Sequence, residues 1–249
     1  MRDRKRLGIV IAAAWGILSF GGEAEARDYL VNQPYDTTKQ GELEVALWND
    51  MNFAEADNDG SFNSKHQIEF EYGVTDHLQL AYYEVYTWDR ASDWERDAFK
   101  LEAKARFAEA GQWPLDVALY TEYKNPDGHR DLRSDGLENK VILSKTFGPW
   151  NVVGNFIFER QINTHSDWEF EYTAGASYGV TSRTRIGLEV QQGLGTSEEF
   201  GFSDDRPFYL VSGIYTSPTP HVRVLVGPAF GLTRVSDDLQ LKSLVEIEF

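Results

Sequence analysis

Residues 238–249 read DLQLKSLVEIEF, and this stretch decides the fold. Leu241 and Ile247 fall on one face of an extended chain, and Lys242 and Glu246 fall on the other. Alternation with a period of two residues is typical of a β-strand that has one apolar and one polar face. The same alternation recurs along the chain and predicts about twelve strands. The predicted strands are 41–53, 62–73, 78–88, 96–108, 113–124, 136–146, 150–161, 168–179, 183–193, 206–216, 221–231 and 238–249.

The connectors between the predicted strands alternate in length. Short gaps such as 74–77 and 147–149 are followed by longer, more polar gaps such as 125–135 and 194–205. Short turns at one rim and longer loops at the other are typical of an outer-membrane barrel. An even number of strands also returns both chain ends to the short-turn rim. We therefore predict an all-β fold: a closed antiparallel transmembrane β-barrel of about 12 strands, with short periplasmic turns and longer extracellular loops.

Alternation alone does not decide which face points inward. A water-soluble barrel or sandwich would place the apolar face inside. Three features favour the opposite arrangement: aromatic residues lie near strand ends, mid-strand apolar positions are small or aliphatic, and an alternating strand ends in Phe249. The aromatic residues expected in two girdles are Trp48, Trp88 and Trp168 toward the long loops, and Tyr72, Trp113, Trp150, Tyr178, Tyr215 and Phe249 toward the short turns.

The N-terminal residues have the features of an export signal. Residues 1–6 contain four basic side chains, residues 7–20 are apolar, and 24–26 form a small-x-small triplet. This order predicts a cleavable signal peptide at 1–26. No later stretch contains 18 consecutive apolar residues, as a transmembrane helix would require. The expected organisation is a signal peptide at 1–26, a periplasmic lead-in at 27–40 and an outer-membrane β-barrel at 41–249.

The composition excludes several classes of site. The net charge of −16 makes the chain repel phosphates, so we expect no nucleic-acid partner. The chain has no cysteine, which excludes disulfides and thiolate metal sites. The sequence contains no phosphate loop, dinucleotide fingerprint or histidine metal cluster. It therefore predicts no cofactor and no metal ion.

Residues 72–80, which read YGVTDHLQL, and Phe249 carry a family resemblance. The turn resembles those of small Gram-negative outer-membrane barrels, in particular the family named for the MetA pathway of phenol degradation, whose members are presumed transporters. Phe249 resembles the C-terminal assembly signal of outer-membrane proteins. The resemblance implies a porin-like protein of the cell outer membrane. Its implied partners are outer-membrane lipid, lipopolysaccharide, the barrel-assembly machinery and small solutes.

The inferred lumen face is heavily charged. One interpretation is a hydrated channel with an acidic bias for cations or polar solutes. The other is a narrow barrel closed by ion pairs, because twelve strands lie between the filled and the open cases. We predict a passive channel for small polar or amphipathic solutes; the alternative is a non-conducting structural or surface-interaction barrel. The candidate lining residues are Glu69, Glu71, Lys100, Glu102, Lys104, Arg106, Asp116, Glu122, Glu169, Glu171, Arg185, Glu189, Arg223, Lys242 and Glu246.

Catalysis is the remaining class of function. Some barrels of this strand count resemble lipid hydrolases that carry a His–Ser pair at the barrel surface. His165, Ser166 and Asp167 are the adjacent His/Ser/Asp set in this sequence. Adjacent residues on a strand point to opposite faces, so this set forms no relay there, and nothing enforces one in a loop. The sequence therefore predicts no enzyme, with a lipid-modifying activity as the weaker alternative.

Overall fold

The computed structural model describes residues 29–53, 62–89, 94–127, 134–162 and 165–249; the predicted signal peptide lies outside this described part. Within these ranges, no helix is long and apolar enough to cross a membrane. The twelve strands are β1 (Leu43–Phe53), β2 (Phe62–Thr75), β3 (Leu78–Asp89), β4 (Glu95–Arg106), β5 (Asp116–Pro126), β6 (Gly136–Phe147), β7 (Trp150–Gln161), β8 (Glu169–Gly179), β9 (Thr184–Thr196), β10 (Phe208–Thr219), β11 (Val222–Gly231) and β12 (Leu239–Glu248).

The strands close into one antiparallel barrel. Each strand pairs with its neighbours in sequence, and β1 pairs with β12. That closing ladder runs from Glu44 opposite Glu248 to Phe53 opposite Leu239. Closure leaves none of these twelve strands with an edge of unpaired backbone groups. The predicted fold class, a closed barrel of twelve antiparallel strands, is confirmed.

The connectors give the barrel two different rims. Turns 76–77, 148–149, 180–183 and 220–221 lie at one end, which we call the short-turn rim, and the opposite end is the long-loop rim. Connector 107–115 is longer than the sequence predicted, because β4 ends at Arg106 and not at 108, and β5 begins at Asp116 and not at 113. Pro114 has no backbone N–H to donate to a ladder. Gly111 adopts a positive φ of 80° in this connector, and its N–H donates to the Asp116 carboxylate at 2.8 Å.

Strand parity separates an apolar outer wall from a polar inner wall. Leu47, Leu119 and Leu188 are each about half exposed on the outside. Glu69 and Lys104, by contrast, are almost fully buried inside the barrel. The inward position of the ionised side chains agrees with the arrangement predicted from the aromatic residues.

Two aromatic residues expected in the outer girdles instead point inward. Trp48 shares its face of β1 with the buried Glu44, and its Nε1 donates to Glu69 at 2.5 Å. Tyr215 is fully buried inside the barrel, where its hydroxyl donates to Glu189 at 2.7 Å. The prediction was wrong for both residues because it considered only how close an aromatic residue is to a strand end. It did not consider whether the position alternates onto the inward or the outward face of the strand.

Candidate functional site

The candidate site is the lumen of the barrel. Strand parity and register place every predicted lining residue on the inward face. Among them, Glu69, Glu189 and Glu246 are almost completely buried, whereas Glu169 is exposed at the long-loop rim. The inward charges therefore follow the lumen from one rim to the other.

A hydrogen-bonded group of carboxylates lines β2 to β4. The Tyr83 hydroxyl, which has one hydrogen to donate, lies within hydrogen-bond reach of both Glu69 and Glu102. Gln79 Nε2 donates to Glu71 at 3.0 Å and to Glu102 at 3.1 Å. These donors stabilise carboxylates that would be costly to bury alone.

Cations from the neighbouring strands balance further carboxylates. Lys100 Nζ lies 3.0 Å from Glu122 across the β4–β5 pair. Lys140 Nζ lies 2.9 Å from Glu138, two residues earlier on the same face of β6. Tyr120 adds a hydrogen bond of 2.7 Å to Glu122. This wall matches the ion-paired interpretation of the lumen.

A second charged group lies at the short-turn rim. The Arg223 guanidinium contacts Glu44 at 3.1 Å, Glu248 at 3.6 Å, and Glu246. The carboxylates of Glu42, Glu44 and Glu248 come within 4.8 Å of one another. Because Arg223 is among them, this acidic cluster has its own counter-charge.

The predicted lead-in runs inside the barrel. We call its described part, residues 29–40, the lumen segment. It contains no strand, and Tyr29, Leu30, Asn32, Tyr35 and Thr38 are buried. Chain that precedes the first strand therefore fills part of the interior.

Apolar side chains of the lumen segment pack against two different walls. Leu30 joins a buried cluster that includes Val211 of β10, Leu225 of β11 and Leu244 of β12. Tyr29 and Tyr35 join a cluster with inward residues of β5 to β7. Since β6 and β12 are half a turn apart in a closed barrel of twelve strands, the segment reaches across the lumen.

Glu189 of β9 is the principal polar anchor of the lumen segment. Its Oε1 accepts from the Leu30 N–H at 2.7 Å, and its Oε2 accepts from the N–H groups of Val31 and Asn32 at 2.9 and 3.0 Å. The Asn32 side chain donates a further bond of 3.0 Å to Oε2. Three successive backbone donors thus converge on one carboxylate. Hydrogen bonds to an ionised acceptor are among the stronger ones in proteins.

Asparagine side chains of β7 hold the segment on the other side. Asn155 Oδ1 accepts from the Gln33 N–H at 2.6 Å, and its Nδ2 donates to the Gln33 carbonyl at 3.1 Å. The Tyr29 hydroxyl lies 2.8 Å from Asn151 Oδ1 and 2.9 Å from the Asn151 backbone carbonyl oxygen. Gly175 leaves the space for this packing, because a Cβ there would lie 2.7 Å from the Tyr29 ring.

The end of the segment that adjoins β1 docks near the short-turn rim. The Thr38 N–H donates to Gln79 Oε1 at 3.0 Å, and its hydroxyl donates to Glu71 at 3.1 Å. The Tyr35 hydroxyl donates to the Ala108 carbonyl. Burial raises the pKa of Tyr35 above its ordinary value of 10.0, because the neutral phenol is favoured in this position.

The interior also contains two cavities, one lined in part by the lumen segment and the other by charged residues of the wall. A cavity of about 70 Å³ lies at the short-turn rim between Thr38, Lys104 and Arg223. A larger cavity of about 240 Å³ is dominated by carboxylates, and we call it the acidic vestibule. Its charged lining residues are Glu138, Glu159, Glu169, Glu171 and Arg206.

The lumen segment is the part of the site that sequence reasoning missed. Residues 29–40 lack alternation, which correctly predicted the absence of a strand but said nothing of where the chain runs. The available signal was compositional: Asn32, Gln33, Tyr35, Thr37 and Thr38 are uncharged polar residues that can bond to a charged wall.

Comparisons with known proteins identify the architecture. No family model and no curated protein matches the sequence. The fold is similar to the COG4313 outer membrane channel from Pseudomonas putida F1, with a TM-score of 0.64 and 12% identity over 88% of this chain and 100% of that one. It is also similar to the NanC porin (TM-score 0.54) and to the KdgM porin in complex with disordered oligogalacturonate (TM-score 0.52). Both porins are 9% identical to this chain, and each match covers 83% of this chain and 98% of the porin. The chain thus has the fold of an outer-membrane β-barrel.

Proposed function

We propose that this chain is a porin-like channel of the bacterial outer membrane, through which small polar or amphipathic solutes pass. The observation that carries the proposal is the inverted wall, with large apolar side chains exposed outside and ionised ones buried inside. An apolar outer surface of this extent requires lipid around it. A charged interior provides polar contacts for a hydrated solute.

In this structure the lumen segment occupies part of the interior of the proposed channel. The segment contacts the wall near β5 to β7 and the wall near β9 to β12, so it obstructs the interior. Solute flux then depends on how often residues 29–40 leave their docked position. The similarity in fold to known channels and porins supports the proposal, and so does the turn at 72–80 that resembles the MetA-pathway family.

The test is planar-bilayer recording of the purified, folded barrel. We expect low conductance with brief openings, and larger conductance once the lumen segment is loosened by substitution. Heat-modifiable gel mobility provides the control for folding. A folded barrel that never conducts, even when the segment has been released, would refute the channel.

A second candidate is a non-conducting structural barrel, favoured by the buried ion pairs. Lys100 with Glu122 and Arg223 with Glu44 are both paired inside the wall. If these pairs close the lumen by themselves, deletion of residues 29–40 leaves the conductance at the background level. If the segment is the closure, the same deletion opens the pore.

A further inference from the structure

A row of polar side chains crosses the outer wall of the barrel. Asn49 of β1 lies opposite His66 of β2 on one side and opposite Ser243 of β12 on the other. The next outward residue of β2 toward the long-loop rim is Ser64. The neighbouring outward positions, such as Leu47, are apolar. Polar and ionisable groups on a lipid-facing surface are costly and mark functional sites.

These side chains form one chain of hydrogen bonds. His66 Nδ1 lies 2.8 Å from Asn49 Oδ1, and His66 Nε2 lies 2.9 Å from Ser64 Oγ. Asn49 Nδ2 donates to Ser243 Oγ at 3.3 Å, which places its carbonyl oxygen toward the imidazole. A carbonyl oxygen can only accept, so Nδ1 carries the ring hydrogen and Nε2 accepts from the serine hydroxyl.

This order of groups is that of a serine nucleophile, a histidine base and an orienting acceptor. Such a triad is recognised by geometry and by roles, whatever the chain order or fold. Here the sheet creates it: Ser64 and His66 are two residues apart and therefore share a face, and the register brings Asn49 beside His66. The groups are already within the 2.6–3.2 Å range that proton transfer requires.

The triad lies at the height of an aromatic group near the long-loop rim. Ser64 is directly opposite Trp88 of β3. Phe62 packs against both Phe53 at 5.1 Å and Trp88 at 5.6 Å between ring centroids. Aromatic side chains collect where lipid headgroups meet the hydrocarbon, which is also the depth of acyl ester bonds. The chemical class within reach of this serine is therefore the acyl ester of a membrane lipid.

The immediate surroundings of the serine are partly dry. Ser64 is 5% exposed, and the Trp94 ring lies 4.5 Å from the His66 ring. Trp94 itself is 60% exposed, so its ring is accessible to a lipid at this height. Exclusion of bulk water strengthens the electrostatic interactions within such a group.

We propose that this barrel is also an acyl-ester hydrolase, with Ser64 as the nucleophile, His66 as the general base and Asn49 as the positioning residue. This activity goes beyond the proposed channel and uses the opposite face of the same wall. It shares with the channel only the premise that the outer wall faces lipid.

The reaction needs water and the ester, and every proton has a place. Ser64 Oγ attacks the carbonyl carbon of the ester while its proton moves to His66 Nε2. The ester C–O bond then breaks, and the leaving alcohol takes that proton. Water attacks the acyl-serine, gives a proton to Nε2 and releases the fatty acid as Ser64 recovers its hydrogen. Asn49 Oδ1 holds the ring throughout by accepting from Nδ1–H.

The experiment uses the full folded chain in detergent and in phospholipid vesicles. A long-chain alkyl fluorophosphonate should modify Ser64, as located by mass spectrometry, and wild type should release fatty acid from the vesicles. Ser64→Ala should abolish both signals, and His66→Ala should reduce them by about 1,000-fold or more. Ser212→Ala, on the outward face of β10 and outside this hydrogen-bonded row, should keep both within about twofold.

Asn49 needs a readout that distinguishes positioning from folding. Asn49→Leu should lower kcat by about tenfold or more with little change in KM, and Asn49→Asp should restore much of the loss. Heat-modifiable mobility confirms that each variant is folded. The proposal is overturned if folded wild type shows neither labelling nor fatty-acid release, or if Ser64→Ala retains the wild-type rate. Bilayer conductance is measured on the same samples, so failure of the hydrolase and failure of the channel are told apart.

Discussion

Substitution of Glu189 by alanine is the sharpest test of how the lumen segment is held inside the barrel. The carboxylate accepts four hydrogen bonds from residues 30–32. Three of the donors are backbone N–H groups, which lose their partner when the carboxylate is removed. Asn155 and Gly175 keep their contacts with the lumen segment, so the change removes one anchor of the segment, together with the acceptor of the Tyr215 hydroxyl on the wall.

The magnitude follows from the number and type of these bonds. A hydrogen bond to a charged group contributes about 1.5–3 kcal/mol net, and the contributions of neighbouring bonds are not additive. We take about 3–6 kcal/mol for the four together. At about 1.4 kcal/mol for each factor of ten, the ratio of docked to undocked segment falls by about 10²–10⁴.

Two measurements report on that ratio. Native-state hydrogen exchange of the amides of residues 30–32 should accelerate by the same factor, because these N–H groups are the donors to Glu189. Planar-bilayer recording should show longer or more frequent openings than in wild type.

A matched control separates loss of the anchor from loss of a lumen charge. Glu171 faces the same lumen from the adjacent β8 and accepts from Gln191 at 3.1 Å. Glu171→Ala removes an equal charge, and we expect it to leave the exchange of residues 30–32 unchanged. If Glu189→Ala and Glu171→Ala have the same exchange rates and conductance, the assignment of Glu189 as the anchor is wrong.

Three further predictions concern the same lumen. Gly175→Ala should raise the planar-bilayer conductance, because the added Cβ would lie 2.7 Å from the Tyr29 ring and so weaken the docking of the lumen segment. Gly154→Ala is the control in the same recordings, because the atom nearest to its added Cβ lies at 3.8 Å. Burial raises the pKa of Tyr35, so the neutral phenol contributes its full stabilisation of the docked segment below pH 10.0 and loses it as the pH rises through the raised pKa. Wild type should therefore open in an alkaline conductance titration, and Tyr35→Phe should not. The double substitution Glu159→Gln and Glu169→Gln should weaken the cation preference of the opened channel, measured as the reversal potential in a KCl gradient. An unchanged reversal potential would contradict a selective role for the acidic vestibule.

The barrel itself was predictable because period-two alternation is a local property. Inward carboxylates such as Glu69 and Glu246 each have an outward apolar residue next to them in the sequence. The face on which a side chain lies can therefore be predicted without knowing how the strands pair. Prediction failed where it used position along a strand in place of parity, as for Trp48 and Tyr215. It also failed at Pro114, where a missing donor shortened the start of β5.

The docking of the lumen segment and the hydrogen-bonded row around His66 could not be predicted in the same way, because both depend on contacts between distant parts of the chain. The anchor joins residues 30–32 to Glu189, across most of the sequence. The triad joins β1 to β2 through a register that alternation alone leaves open. A search for chain-adjacent His, Ser and Asp found His165 and not His66, because two groups that act together on a sheet are neighbours at i and i+2 or across strands.

Strand parity also makes the two proposed activities independent. On β2, Glu69 faces the lumen, whereas Ser64 and His66 face outward, and a slip of one residue in register would exchange the two faces. The wall separates the groups without any need for a second domain. His66→Ala should therefore leave the open-state conductance of a Glu189→Ala barrel unchanged, and Glu189→Ala should leave fatty-acid release unchanged. Coupling between them in correctly folded barrels would mean that movement of the lumen segment distorts β2, and that the two faces do not act as separate sites.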